Sequence, residues 1–256
     1  MRFPKLAIGF FACVLSVLAL PLDASAGTLR LRLDDGSGNG VVVTDSDNDG
    51  VLQYFGQIGV FNITFTTGIS APVIGDEYKS ELHLNSVVTN TGTGSGSLTI
   101  TLEDTDFSAG VGPGSPSYVT STVGGVLSGP AGSSVTTQSW VNTANQAANL
   151  GPDDSTFGPL SPATVAIPAG SISAYSTPQT YTTSSFSNES STTFVGSGLY
   201  ALFSQTTIAL TGRGSASFDV VTSVATPEPA SLVLFGSGLV GIVRLARRRR
   251  RETAQS

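Results

Sequence analysis

The sequence predicts an all-β fold for its central residues 27–225: an antiparallel sandwich, jelly-roll-like or Greek key. Three observations carry this. Apolar and polar residues alternate with a period of two in several short runs, as half-buried strands do. Those runs recur at roughly ten-residue spacing between Gly, Asn and Asp turns, the rhythm of sandwiches and barrels. Charged residues make up only 12% of the chain, against abundant Ser, Thr and Gly, a composition common in surface β-proteins.

The elements follow in order. TLRLRL places Leu29, Leu31 and Leu33 on one face, with Thr28, Arg30 and Arg32 on the other. Asp34 to Gly40 is a turn. VVVTD and VLQYF flank a second, Asp/Gly turn. FNITFTT points Phe61, Ile63 and Phe65 inward, and ELHLNSVV does the same with Leu82, Leu84 and Val88. After a flexible turn at Gly92 to Gly96, SLTITLED aligns Leu98, Ile100 and Leu102. The second half is less regular. Ser117 to Val123, Ser134 to Val141 and Ala163 to Ile167 suit strands, with Trp140 in the core or over its edge. Asn142 to Leu150 suits a short helix. Pro152, Pro159, Pro162 and Pro168 crowd a long connection that reads as loop. Ile172 to Thr183 and Thr192 to Val195 are weaker strands. LYALFSQTTIALTG and SASFDVVTSV predict a closing hairpin around Gly212-Arg213-Gly214.

The two ends differ from this body. At the N-terminus, Arg2 and Lys5 precede an apolar run from Leu6 to Leu20 and then Ala24-Ser25-Ala26. A positive region, a hydrophobic region and a small-residue site make residues 1–26 a secretory signal helix, cut between Ala26 and Gly27. The apolar run, about 22 Å as a helix, is short for a span. At the C-terminus, Pro227-Glu228-Pro229 leads into an apolar stretch at residues 230–246, interrupted only by Arg244. That stretch gives about 21–26 Å of helix, enough to cross a thinned bilayer. Arg247, Arg248, Arg249, Arg250 and Arg251 then form a basic cluster that cannot be buried together. By the positive-inside rule it stays in the cytoplasm, leaving the body outside and residues 252–256 as a short inner tail.

Pro-Glu-Pro, a short apolar run and an arginine cluster, in that order at residues 226–251, resemble the PEP-CTERM sorting signal of exopolysaccharide-producing Gram-negative bacteria. The resemblance implies that exosortase, a membrane-embedded cysteine-dependent processing enzyme, reads this tail. It implies export, membrane retention and processing near Pro227–Pro229. LRLDDGSGNGVVVTD, GQIGVFNITFTTGISAPVIG, ELHLNSVV and TLEDTDF also resemble the body of a recurrent class of such proteins, which comes with no established activity.

Composition narrows the body's chemistry. Fifteen of the 18 acids but only Arg30, Arg32, Lys79 and Arg213 of the 12 bases lie in residues 27–225, a net charge near −11. Such a body repels phosphate backbones, so no nucleic-acid partner is expected. The single cysteine, Cys13, leaves with the signal, so disulfides, thiol nucleophiles and Cys metal ligands are excluded from the mature chain.

The best local constellation is TDSDNDG. Asp45, Asp47 and Asp49 at alternate positions, with Gly50 next, match the first half of an EF-hand calcium loop. The twelfth loop position is Gly56 and not Glu, so the choice lies between an acidic solvated turn and a weak calcium site completed by Asp34 or Asp35. No other cofactor is expected. His83, the only histidine, stands opposite Leu82 and Leu84 as an exposed strand residue, and no G-x-S-x-G elbow accompanies it. Glu103, Asp104 and Asp106 after one strand, and Asp76 and Glu77, offer carboxylates for glycosidic chemistry, without a visible facing pair. The expectation is an exported, membrane-anchored or surface-sorted protein that is not an enzyme. Its role would be structural or adhesive, in contact with the bilayer and exopolysaccharide. A carbohydrate-binding module, calcium-assisted, is the alternative, and a glycan hydrolase the third.

Overall fold

In Lys79–Asn90 the alternation is complete: Ser80, Leu82, Leu84, Ser86, Val88 and Asn90 are buried, and the residues between them are half-exposed. The computed structural model describes residues 27–71, 73–75, 79–108, 116–160, 165–182, 184–196 and 198–225. Among them there is no helix, and every strand pairing is antiparallel. The strands are β1 (Arg30–Asp34), β2 (Asn39–Thr44), β3 (Val51–Ile58), β4 (Phe61–Ile69), β5 (Lys79–Asn90), β6 (Gly96–Phe107) and β7 (Pro116–Ser128). They continue with β8 (Ser134–Asn142), β9 (Asp154–Pro159), β10 (Ile172–Ser173), β11 (Gln179–Tyr181), β12 (Ser185–Val195), β13 (Tyr200–Leu210) and β14 (Gly214–Ala225).

Two sheets form the predicted sandwich. The larger runs β10-β8-β13-β6-β1-β2-β9, with β11 also on β8, and the smaller runs β12-β7-β14-β5-β4-β3. Leu31, Leu33, Ile100 and Leu102 from the larger sheet meet Leu82, Leu84, Val123 and Val220 from the smaller in one continuous core. Hydroxyls also tie the sheets together. Ser139 on β8 bonds Ser121 on β7 at 2.9 Å and accepts from Thr222 on β14 at 2.8 Å. In a body without disulfides, such fully bonded buried polar groups add specificity to the packing.

Several sequence expectations are corrected. β13 and β14 are not a hairpin. β13 lies between β6 and β8, and β14 between β5 and β7, so Thr211–Arg213 crosses from one sheet to the other. A period of two shows which face is buried but not which neighbour pairs, and both strands bury faces toward each other across the core. Asn142–Leu150 is not helical. Three of its amides go to side chains instead: Asn142 Oδ1 accepts from Ala144 and Gln146, and Glu103 Oε2 accepts from Ala148 at 2.6 Å. The proline-rich connection contains β9, an edge strand on β2, where Pro159 sits at the end and lacks no ladder partner. Residues 165–167 are not strand, and 161–164 lie outside the described residues. Only Ile172–Ser173 and Gln179–Tyr181 of the predicted strand over 172–183 pair, both with β8. β12 extends well beyond Thr192 to Val195, because its outward Ser and Thr residues hide the alternation that Phe186 and Phe194 mark.

The segment after β8 covers the outer face of the larger sheet and builds a second core there. Val42, Ala148, Leu150, Ala201 and Phe203 are its centre, and Trp140, Leu160, Val165 and Ile167 pack on it. Gly40 on β2 lies between the β1 backbone and Leu160 of this layer. A Cβ at that position would run into the Leu33 carbonyl oxygen and come within 2.8 Å of Leu160. Gly40→Ala should therefore lower stability by about 1–3 kcal/mol, as overpacking of a backbone contact does. Urea midpoints of the two proteins check this, and equal midpoints would show that β1 and Leu160 both give way freely.

Candidate functional site

Asp45 follows β2 directly, and the turn to Gly50 carries the chain from the larger sheet to the smaller. The Asp45 amide donates to the Leu29 carbonyl at 2.9 Å, and its Oδ2 accepts from the Gly50 amide at 2.8 Å. Asp49 Oδ1 accepts from Val51 N at 2.9 Å. Gly50 has φ of 78°, and a Cβ there would lie 2.6 Å from the Ala71 carbonyl, so both conformation and space demand glycine. These bonds bring one carboxylate oxygen from each of Asp45, Asp47 and Asp49 within 4.8 Å of the others. Asp45 is only 4% exposed, while Asp47 and Asp49 are open to solvent. The carboxylates of Asp45 and then Asp49 close beside it push the Asp47 carboxyl above its ordinary value. Asp34 and Asp35, the predicted completing ligands, are engaged elsewhere. Asp34 pairs with Arg32 at 2.6 Å, and Asp35 Oδ1 accepts from Ser37 and Asn39.

The same end of the sandwich holds a second acidic group. Gly50 O accepts from Ser70 N at 2.9 Å, and Ser70 Oγ donates to Asp104 Oδ2 at 2.6 Å. Burial pushes the Asp104 carboxyl up to about 7, against the Ser70 and Thr105 hydrogen bonds that favour its charge. Asp106 and Asn145 hold each other through two hydrogen bonds, and both have positive φ. Gly27, the residue predicted to follow the signal cut, donates its amide to the Thr105 carbonyl. Ala24 and Ala26 lie outside the described residues.

On the outer face of the larger sheet, Arg32 is 1% exposed. It donates to the Leu150 carbonyl at 3.0 Å and pairs with Asp34. Arg30 meets Glu103 at 3.4 Å and donates to the Gly151 carbonyl. Burial pushes the Glu103 carboxyl up to about 7, with the Ala148 amide and Arg30 pulling it down. A partly open cavity of about 220 Å³ remains beside this layer, lined by Arg32, Asp34, Thr99, Thr101, Val165 and Gln205. The sequence missed this group because alternation alone makes Arg30 and Arg32 look like a solvent face. Glu103 and Asp104 point to opposite faces of β6 and do not form a facing pair across a groove.

His83 stands on the outer face of the smaller sheet. Its Nε2 lies 2.8 Å from Asp219 Oδ2, which also accepts from Asn85 at 3.1 Å. His83 lies on the face the sequence assigned but is half-buried rather than exposed, and the sequence missed Asp219, which β14 brings to its side from 136 positions away.

Among the described residues no helix is long and apolar enough to cross a membrane. The predicted span at 230–246, Pro227, Glu228, Pro229 and the Arg247–Arg251 cluster lie outside them. A comparison with curated proteins found no match. Residues 225–251 match the family described as the PEP-CTERM protein-sorting motif, beginning at Ala225, the last residue of β14. The match implies an exported, membrane-anchored protein processed by exosortase: this chain is a β-sandwich that carries a PEP-CTERM protein-sorting motif at its C-terminus.

Proposed function

We propose that the sandwich is a structural, adhesive module of the cell envelope or exopolysaccharide matrix, sorted there by exosortase acting on the tail, with no catalytic step of its own. The observation that carries the reading is that the sorting motif begins at Ala225, the last residue of a central strand. β14 pairs along its length with β5 on one side and β7 on the other. Ladder bonds lie perpendicular to the strands, so a pull through the tail loads both ladders together in shear. That is suitable anchorage for a tethered body. The apolar run at 230–246 holds the precursor in the bilayer, and Arg247 to Arg251 keep its end inside.

Intact mass and fractionation of the native protein test this, in wild type, in Glu228→Ala and in a chain ending at Thr226. The wild type should start near Gly27, lose the arginine cluster and reach the surface or matrix. Glu228→Ala should accumulate in the inner membrane at the longer mass, and the truncated chain should be released in soluble form. A wild-type protein that keeps Arg247 to Arg251 in the inner membrane would overturn the sorting reading. Cells lacking the protein should also retain less matrix, and unchanged matrix would overturn the adhesive role. A second reading, a carbohydrate-binding module, draws support from the polar cavity beside Thr99, Thr101 and Gln205. Calorimetric titration with matrix polysaccharide separates the two, since a passive structural body gives no heat.

A further inference from the structure

We propose that Asp45, Asp47 and Asp49 bind one calcium ion, which locks the crossing from the larger sheet to the smaller. This is independent of the adhesive reading. Three clustered carboxylates alone are ordinary on an acidic surface. What sets this turn apart is Asp45. It is 4% exposed, Gly50 satisfies only its Oδ2, and the buried Oδ1 has no hydrogen-bond partner among the described residues. A buried carboxylate oxygen without a donor is costly, and a cation bound by this carboxylate relieves it. One carboxylate oxygen each from Asp45, Asp47 and Asp49 lies within 4.8 Å of the other two, close enough to share one ion.

The chemistry selects the ion. The donor set is all oxygen and anionic, which suits a hard cation. Calcium tolerates irregular geometry and completes its shell with water, whereas magnesium demands a near-ideal octahedron. Gly56 stands where an EF-hand supplies its bidentate glutamate, so affinity should fall in the range of extracellular modules, about 10⁻⁴–10⁻³ M. The site also sits at a junction. Asp45 is bonded to Leu29, and Gly50 to Ser70, which reaches Asp104 on β6. An ion here fixes the ends of β2, β3, β4 and β6 relative to one another.

Thermal melting of the full-length protein in detergent, stripped with EDTA and then titrated with CaCl2 or MgCl2, tests the proposal. At 10 mM CaCl2 the melting temperature should rise by roughly 3–10 °C, with a much smaller rise in MgCl2. Asp47→Asn and Asp49→Asn are exposed changes that leave the bond between Asp45 and Gly50 intact. Each should fold normally and weaken the calcium response at least tenfold in concentration. Asp45→Asn should remove it. No shift with calcium, an equal shift with magnesium, or a full calcium response in the Asp47→Asn/Asp49→Asn double variant would each overturn the assignment.

Discussion

Replacing Arg32 with alanine is expected to destabilise the sandwich by about 3–5 kcal/mol, because it strips the partner from a buried charge. Arg32 is 1% exposed, and Asp34, its partner at 2.6 Å, is 7% exposed. Without the guanidinium, Asp34 keeps the Gly36 amide at 2.8 Å but loses its compensating charge. The Leu150 carbonyl loses its donor in the same step, which loosens the covering segment although Arg30 still donates to Gly151. Removing the charge as well separates these effects. Arg32→Met combined with Asp34→Asn keeps an acceptor for Gly36 and leaves no ion, and it should recover about half of the loss. Urea denaturation of the wild type and the two variants reads both numbers. A single-variant loss under about 1 kcal/mol would mean that water enters the adjoining cavity and screens Asp34.

The same residue shows where the sequence was legible and where it was not. Leu29, Leu31 and Leu33 announce β1, and their burial is what alternation predicts. The opposite face looked like solvent, because alternation assumes that only one side of a strand is covered. Here the covering segment comes from residues about 118 positions later, and it carries no period of its own because its amides bind Asn142 and Glu103. A sheet covered on both faces by different kinds of structure defeats a two-state reading of each strand. The same limit explains the hairpin that β13 and β14 do not form. Gly212-Arg213-Gly214 is a good turn, but a turn of that length serves a crossing between sheets as well as a hairpin.

Linear signals fared differently. The sorting motif is a contiguous string read by another protein, so its order is its information, and no folding step intervenes. The Asp45, Asp47 and Asp49 pattern is equally local. What the string could not convey is that Asp45 is buried while its neighbours are open, since that depends on the bond to Leu29 and the close approach of Gly50 to Ala71. Asp219 beside His83 is the opposite extreme, a contact that exists only once the last strand has entered the smaller sheet.

Acidification from pH 8 to pH 5 should make this protein more stable, the reverse of the usual behaviour of an acidic domain with paired carboxylates. Glu103 and Asp104 are buried on opposite faces of β6, and burial raises both carboxyls to about 7, from ordinary values of 4.5 and 3.8. The folded state therefore holds protons that the unfolded chain has released, and stability falls as pH rises between those limits. Below about 4 the contribution is complete, and above about 7 it is lost. The surrounding charges are mixed: Arg30 favours ionised Glu103, while Asp106 and Asp45 oppose ionisation of Asp104. Over this range each raised carboxyl contributes on the order of 3 kcal/mol at most, and the two together should move the melting temperature by up to roughly 10–20 °C. General repulsion in a body carrying a charge near −11 acts in the same direction, so the slope alone is not diagnostic. Glu103→Gln keeps an acceptor for the Ala148 amide, and Asp104→Asn keeps one for Thr105, while each removes a titrating group. The double variant should keep only the shallower slope of the surface charge across this range and, at pH 8, should melt above the wild type. If it keeps the full wild-type slope, the pH dependence belongs to the surface charge and the two buried carboxyls are neutral bystanders.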